Sequence, residues 1–316
     1  MIENEIWQIN ELNYYWREKY REYLKHRMSK TSCESYIKTF DRVKLHSLRK
    51  QSQIILAGKR QRPEYADEIL YLPYHPNIEI AERFYKENNK NLLAWDFTLK
   101  AAEKLKRQIF QILHYFIENA ANSERMHAQL GGLARLYDFC VLEQIEDLEK
   151  LEIDQIERFQ KTFATEYQRH YYAGVTFWCG RALFMEAEEI HWDANVWYME
   201  RMRLQPERID PAAPVMSLSF AEVTNKENRK LLQKYLRYGI GITNLSISNL
   251  RTEFLVVRKF LGDMNQPETE NICMVTEQQM DAWLRSEQQR EVQADTFNKK
   301  VMCILHFFLY LQIKDY

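Results

Sequence analysis

The chain has 316 residues, which is more than one hydrophobic core usually holds and therefore predicts two or three domains. It contains only 8 glycines and 7 prolines. Because β-rich folds need many turn residues and helical folds need few, this composition disfavours all-β classes and predicts an all-α, multi-domain fold. The formal net charge of −1 excludes no class of partner, since the distribution of charge matters more than its sum.

Two basic segments flank an acidic one. Residues 17–62 contain 14 Lys/Arg against 4 Asp/Glu, and residues 226–259 contain 8 against 2. Residues 143–158 contain 7 acidic and 2 basic side chains. Each segment suits either a solvated helix face or a surface for a charged partner, and composition leaves both interpretations open.

The N-terminal region, residues 1–90, begins with two predicted helices at 5–28 and 33–56, in which aromatic and basic residues are interleaved. Such a mixture suits nucleic acid, since cations neutralise phosphates and rings stack on bases. It also suits a helix pair that buries an aromatic stripe. Residues 57–77 contain three prolines and are predicted to form a linker or an irregular crossing.

The middle region, residues 91–190, predicts further helices. Apolar residues recur near helical spacing between Phe97 and Phe116. Gly131-Gly132 is predicted to open a helix that leads into the acidic segment and then into a long helix to about residue 190. Residues 191–225 are rich in Trp, Met and Pro, which predicts a semi-rigid connection that packs its tryptophans onto a neighbouring domain.

The terminal region, residues 226–316, predicts four helices. The first covers 226–239 and is ended by Gly239 and Gly241. The second is capped by Ser246 or Ser248, a short third helix is capped by Thr276, and the fourth covers about 293–313. The core stripe of the second helix consists of Leu250, Phe254, Val257 and Leu261.

Three of these four helices direct cations, hydroxyls or amides away from the predicted core. The residues are Lys230, Lys234 and Arg237 on the first helix, Arg251, Thr252, Arg258 and Lys259 on the second, and Thr296, Asn298, Lys299 and Lys300 on the fourth. Lys and Arg neutralise phosphates, and Thr and Asn near a helix start bond to phosphate or to base edges. A helical bundle with a lysine-rich surface is the alternative, but the concentration of positive charge favours DNA binding.

Three segments of this region, NLSISNLRTEFLVVRKFL, VTEQQMDAWL and TFNKKVMCILHFFLYL, resemble the core-binding domain of tyrosine recombinases, over about residues 226–316. The upstream WDANVWYMERM and the long N-terminal extension resemble the large transposases of this family that mobile elements carry. The resemblance implies a SAM-like four-helix domain that binds double-stranded recombination-site DNA, with self-association on that DNA. It also implies a C-terminal catalytic domain that carries out integration or strand exchange.

An internal echo adds an alternative for the middle region. Residues 133–159 have the order of helix, acidic link and short helix that residues 255–284 also have. A second core-binding-like fold in the middle region is therefore one interpretation, and chance similarity between amphipathic helices is the other.

No catalytic residue is assigned. The family would use an ordered series of Arg, Lys, His-x-x-Arg, a second His or Trp, and a nucleophilic Tyr. The segment His46-Ser47-Leu48-Arg49 matches in letters alone, and Tyr316 follows no such series. Motifs for cofactors or metals are also missing, and His191-Trp192-Asp193 is better explained by packing and capping.

Compartment and membrane follow from simple counts. The five cysteines are odd in number and far apart, which predicts neither a disulfide framework nor a thiolate metal site and favours a reducing cytoplasm. The N-terminus lacks the features of a signal peptide. The longest apolar run, 301–311, is interrupted by His306 and is shorter than the ~20 residues that a membrane helix needs.

The sequence thus predicts the DNA-binding N-terminal half of a tyrosine recombinase or transposase, or else a natural DNA-binding protein without catalysis. The alternative from a different class is a helical protein–protein scaffold that assembles through residues 1–56 and 95–190. The abundance of Tyr and Trp, 19 and 7 residues, supports such a scaffold.

Overall fold

A computed structural model describes residues 9–52, 62–172, 174–264, 266–290 and 293–316. Helices account for 66 % of the structure and strands for 4 %, so the predicted all-α, multi-helical fold is confirmed. Over the described residues, none of the helices combines the length and the apolar character that crossing a membrane requires.

Runs of helices are separated by four short strands along the described parts of the chain. In order they are α1 Tyr14–Lys25, α2 Lys30–Ser52, β1 Ile69–Tyr71, α3 Ile78–Tyr85, β2 Ala94–Asp96, α4 Glu103–Asn119, α5 Ser123–Leu142, α6 Ile153–Lys161, α7 Glu166–Tyr171, α8 Val175–Glu186, β3 Val196–Tyr198, β4 Ser217–Ser219, α9 Lys226–Gly241, α10 Ile247–Met264, α11 Glu277–Gln288 and α12 Ala294–Ile313. Single 3₁₀ turns lie between them, among them Leu148–Lys150, Met199–Met202, Pro206–Arg208 and Ile272–Met274.

The chain divides into two compact units. The first comprises Met1–Glu146 and Thr165–Cys179, and the second comprises Asp147–Ala164 and Gly180–Tyr316. This division differs from the predicted boundaries at residues 90, 190 and 225. The physical reason is that β1 pairs with β2 across the first of these boundaries, and the β3–β4 pair shares one hydrophobic core with the helices beyond the last.

In the first unit, α1 packs on α2. Leu24 contacts Cys33 and Ile37 in a small buried cluster, and the guanidinium of Arg17 donates two hydrogen bonds, of 2.7 and 2.9 Å, to the buried carboxylate of Asp41. The predicted helices at 5–28 and 33–56 correspond to α1 and α2, although residues 5–8 and 53–56 lie outside the described residues. So does the first part of the predicted linker, whose later part contains β1.

In the second unit, α9 to α12 pack around one hydrophobic core, as the pattern of the terminal region predicts. The predicted stripe of α10 is buried, with exposed fractions of 0–3 % for Leu250, Phe254, Val257 and Leu261. Ser246 accepts a hydrogen bond from the backbone of Asn249 at 3.2 Å, and Thr276 accepts one from Gln279 at 3.3 Å. The predicted caps of α10 and α11 are therefore confirmed.

Residues 191–225 contain β3 and β4, and they place Trp197, fully buried, in the core of the terminal helices, in line with the predicted packing of their tryptophans. Two local predictions were wrong. The predicted long helix to residue 190 is divided into α6, α7 and α8. The helix α9 continues through Gly239 and ends at Gly241. Gly239 permits close packing of α9 on α10, because a Cβ at this position would lie 2.7 Å from a methyl of Leu250.

The glycine pair in α5 was also misread. Gly131 and Gly132 lie in the middle of α5, not at its start. A Cβ on Gly132 would lie 2.7 Å from Cγ2 of Val175, so the glycine allows α5 and α8 to approach closely.

One arrangement of elements occurs twice in the structure, and each occurrence begins with a strand pair. Both pairs are antiparallel ladders of three residues with the same register, and each faces a tryptophan with a leucine. The facing pairs are Leu70 with Trp95 and Trp197 with Leu218. Directly after the second strand of each ladder, the backbone N–H of a buried phenylalanine donates back across the ladder, from Phe97 to Glu68 O at 3.2 Å and from Phe220 to Asn195 O at 2.8 Å.

The helices that follow bury matching positions. Counted from these phenylalanines, α4 and α9 share the buried pairs Leu105/Asn228, Lys106/Arg229, Gln108/Leu231, Ile109/Leu232, Ile112/Tyr235, Leu113/Leu236, Phe116/Gly239 and Ile117/Ile240. Near the end of each helix an arginine donates to the carbonyl at the equivalent position. Arg83 donates to Ile117 O at 3.0 Å, and Arg208 donates to Ile240 O at 2.7 Å.

The match extends through the next elements. The helices α5 and α10 share the buried pairs Met126/Leu250, Leu130/Phe254, Leu133/Val257, Leu136/Phe260 and Tyr137/Leu261. A 3₁₀ turn follows each of them, and then a helix that begins with the same cap. The backbone N–H of Glu152 donates to Gln155 Oε1 at 2.9 Å, and that of Thr276 donates to Gln279 Oε1 at 2.9 Å.

We call residues 69–186 the first repeat and residues 196–313 the second repeat. The segments 133–159 and 255–284, between which the sequence suggests an echo, lie at matching places in the two repeats. The burial pattern, caps and strand register that the two repeats share show that one architecture is present twice in the chain.

Candidate nucleic-acid interface

The second unit contains an open cleft of about 670 Å³, bordered by the C-terminal half of α9, the 3₁₀ turns at 199–208 and the end of α12. Its cationic lining residues are Arg203, Arg208, Lys234, Arg237 and Lys314. Three aromatic side chains, Trp192, Tyr238 and Tyr310, also line it. Among the described residues, no Asp or Glu contributes to the lining.

Three of these cations rest on aromatic rings. Measured to the ring centroid, Lys234 lies over Tyr316 at 4.4 Å, Arg237 over Trp192 at 4.9 Å, and Lys314 over Tyr238 at 5.8 Å. A ring attracts a cation through its quadrupole but carries no net charge. The rings therefore order the cations without neutralising them, and the positive potential of the cleft is retained.

Arg208 is fixed in a different way. Its guanidinium donates to the carbonyls of Gly239, Ile240 and Leu245 at 3.1, 2.7 and 2.9 Å. The bonds to Gly239 and Ile240 satisfy carbonyls at the C-terminal end of α9, and the bond to Leu245 attaches the loop that follows it. Arg208 thus has a structural role at the edge of the cleft, while Arg203, Lys234, Arg237 and Lys314 supply the other positive charges of its lining.

The predicted DNA-binding residues fall into separate groups. Lys234 and Arg237 lie together in the cleft. Lys230 of the same helix forms an exposed ion pair with Glu227 at 2.7 Å.

Lys259 and Lys300 converge on a buried carboxylate. Glu287, of which 1 % is exposed, accepts hydrogen bonds from Lys259 at 2.8 Å and from Lys300 at 2.6 Å, and Arg290 lies 2.5 Å away. Burial by itself raises the pKa of Glu287, but the hydrogen bonds from the two lysines and their charges outweigh this effect and lower it to about 2. These lysines hold α10, α11 and α12 together, so Glu287 neutralises part of their positive charge within the fold.

Arg258 is also engaged. It donates to Ser219 O at 3.1 Å and pairs with Glu222 at 2.7 Å, and its guanidinium lies 5.2 Å from the ring of Phe254. Burial lowers its pKa. This side chain ties α10 to β4.

The remaining predicted residues are exposed on α10 and α12. They are Arg251, Thr252, Thr296, Asn298 and Lys299. The hydroxyl of Thr252 donates to Ser248 O at 3.0 Å.

Sequence reasoning missed three cations of the cleft, Arg203, Arg208 and Lys314. The first two lie in the segment interpreted as a connection, and Lys314 follows the last helix. The three arginines of RMRLQPER (201–208) were a usable signal for a basic surface that includes Arg203 and Arg208. The position of all three cations beside α9 depends on tertiary packing.

His191 and Asp193, singled out from the sequence, have structural partners. His191 pairs with Glu149 at 2.7 Å, and Asp193 pairs with Lys150 at 2.8 Å. Within the described ranges, no group of three or more His, Cys, Asp or Glu side chains is arranged to hold a metal ion. Arg49 of the His-x-x-Arg segment pairs with Glu82 at 2.7 Å.

No protein-family model matches the chain, and no curated protein or solved structure is significantly similar to it.

Proposed function

We propose that the second unit binds double-stranded DNA through the cleft, as the DNA-recognition half of a tyrosine recombinase or transposase. The observation that carries the proposal is the set of ordered cations in a cleft without lining carboxylates. Phosphates release counterions when Lys and Arg neutralise them, and this release supplies most of the affinity for a DNA backbone.

The comparison of the two repeats supports DNA binding by the cleft. At the positions of Lys234 and Arg237, the first repeat has Gln111 and His114. The helix α9 carries five bases against one acid, whereas α4 carries three bases against two acids. The buried frame is shared by both repeats, so the charge difference is independent of what the fold requires.

The arrangement of α9 to α12 supports the resemblance to a core-binding domain. The helix α11 is capped by Thr276, and α12 opens with the exposed residues Thr296 and Asn298, as the resemblance implies. In this proposal the unit positions recombination-site DNA, the protein self-associates on it, and the family's C-terminal catalytic domain carries out strand exchange.

A cytoplasmic location is part of the same proposal. All five cysteines are free thiols, and four of them are buried. Free thiols are typical of reducing compartments.

Fluorescence anisotropy with labelled duplexes at 50–200 mM salt tests the proposal. We expect the logarithm of the affinity to fall linearly with the logarithm of the salt concentration, with a slope of about −0.9 for each neutralised phosphate. Neutralisation of one phosphate each by Arg203, Lys234, Arg237 and Lys314 corresponds to a slope of roughly −3 to −4. Absent or salt-insensitive binding would contradict DNA recognition.

A second candidate function, a protein–protein scaffold, has one observation in its favour. One face of α12 exposes Met302, Leu305, Leu309 and Ile313, at 47, 45, 43 and 75 %. Light scattering separates the two functions: assembly that requires DNA supports recognition, and a stable oligomer that ignores DNA supports the scaffold.

A further inference from the structure

One face of α1, in the first unit, carries alternating rings and cations. Tyr15, Lys19 and Tyr23 are four residues apart on α1, so they follow one another along the same side of the helix, and Arg27 lies in the turn just beyond its end. Tyr15 and Tyr23 are 55 and 51 % exposed. We call these four residues the α1 stripe.

Each ring of the α1 stripe holds the next cation. The ammonium of Lys19 lies 4.5 Å from the ring centroid of Tyr15, and the guanidinium of Arg27 lies 4.0 Å from that of Tyr23 and donates to its hydroxyl. As in the cleft of the second unit, neutral rings order the cations, so their charge is available to an anionic partner.

The opposite side of α1 is anchored, which fixes the direction of the stripe. Leu24 and Arg17 are buried against α2, and Tyr20 stacks on Phe40 at 5.6 Å. The two exposed tyrosines therefore do not belong to the α1–α2 core.

The surrounding charge is positive. The helices α1 and α2 together carry ten bases against four acids. Asp41 and Glu18 are paired with arginines of α1. Glu22 is the acid that borders the stripe, one turn from Lys19.

From this arrangement we infer that the α1 stripe binds an unpaired strand of nucleic acid. Exposed rings stack on bases that are not paired, and neighbouring cations follow the phosphates. The two rings are about 12 Å apart along the helix axis, so one extended strand can contact both. This inference goes beyond the proposed duplex binding and is independent of it.

Binding of labelled oligothymidylate to the full chain tests the inference. We expect Tyr15→Ser/Tyr23→Ser to weaken binding by about tenfold or more, since each stacked base contributes substantially to affinity. The matched control is Tyr167→Ser in α7, an exposed tyrosine of the same unit at 71 %, which should stay within about twofold. Equal effects of the double variant and the control would overturn the inference.

Two charge variants test the same surface without removing a ring. Lys19→Gln/Arg27→Gln should reduce the salt slope for oligothymidylate by about 1.4, or 0.7 for each phosphate of a single strand. Glu22→Gln should strengthen binding, because it removes the bordering negative charge. An unchanged slope, or a loss of duplex affinity as large as the loss for the single strand, would contradict a separate single-strand surface.

Duplex binding distinguishes this inference from the proposed function. Variants of the α1 stripe should leave the affinity for a short duplex unchanged, and variants of the cleft should leave oligothymidylate binding unchanged. If cleft variants abolish both, the stripe is not an independent site.

Discussion

Replacement of Glu287 by glutamine should destabilise the terminal helices selectively. The carboxylate is buried, and Lys259, Lys300 and Arg290 surround it at 2.5–2.8 Å. Glutamine keeps the size of the side chain but removes the charge, so three cations lose the group that compensates them.

The magnitude follows from the burial of the partners. Removing one member of a fully buried ion pair costs about 3–5 kcal/mol. Here the side chains of Lys259 and Lys300 are 46 and 24 % exposed and can regain water, so we expect a loss of about 2 kcal/mol in the free energy of unfolding. Because the pKa of Glu287 is lowered to about 2, this contribution is present above the ordinary value of 4.5 and should be lost as the pH falls from there toward 2.

Hydrogen exchange followed by mass spectrometry localises the effect, and urea unfolding gives its size. Amides of α11 and α12 should exchange faster in Glu287→Gln, while those of α4 and α5 stay unchanged. Glu227→Gln is the control, because Glu227 is 54 % exposed and its pair with Lys230 should contribute less than about 0.5 kcal/mol. Similar stability of the two variants would refute the role assigned to the buried carboxylate.

Three further predictions concern the stability of single sites. Burial, with a contribution from His114, lowers the pKa of His75 to about 3; since the unfolded chain then takes up the proton first, the first unit should lose stability as the pH falls below about 6.5, and the difference between urea midpoints at pH 7 and 5 should be smaller in His75→Gln than in wild type, where the buried His114 adds to it. Gly132→Ala should destabilise the first unit by about 1–3 kcal/mol in thermal unfolding, because the new methyl meets Val175, whereas an unchanged melting temperature would show that α8 can move aside. Thr276→Ala should cost about 1 kcal/mol through loss of the cap of α11, and Thr276→Ser should restore most of it in the same assay.

The helices could be predicted because their signals are local. The stripe of α10 and the caps at Ser246 and Thr276 depend on residues close in sequence, and all of them are present in the structure. The strand pairs could not be predicted, since each strand has three residues and pairs with a segment about 20 to 25 residues away. Such short strands give no measurable alternation.

The repeat is hard to recognise in the sequence because equivalent positions of the two repeats carry different residues. The tryptophan of the ladder is on the second strand in one repeat, at Trp95, and on the first strand in the other, at Trp197. Buried positions such as Leu105 and Asn228 differ in polarity although both are fully buried. Burial and position are shared while residue identity is not, so a comparison of the amino-acid letters finds little.

The candidate site could be predicted in part for a related reason. The sequence identifies which side chains are cationic, but the fold decides which of them are neutralised. Lys259 and Lys300 share Glu287, whereas Lys234 and Arg237 rest on rings. No local pattern distinguishes these two outcomes.

The most direct test of DNA recognition by the cleft gives it the uncharged residues of the first repeat. In Lys234→Gln/Arg237→His, we expect the salt slope for duplex DNA to become shallower by about 1.8, since two phosphate contacts are lost at about 0.9 each. The matched control, Lys161→Gln/Arg169→His, makes the same exchanges at exposed positions outside the cleft and should leave the slope unchanged. An unchanged slope in the cleft variant, or an equal change in the control, would contradict the central claim that the ordered cations of the second repeat bind DNA.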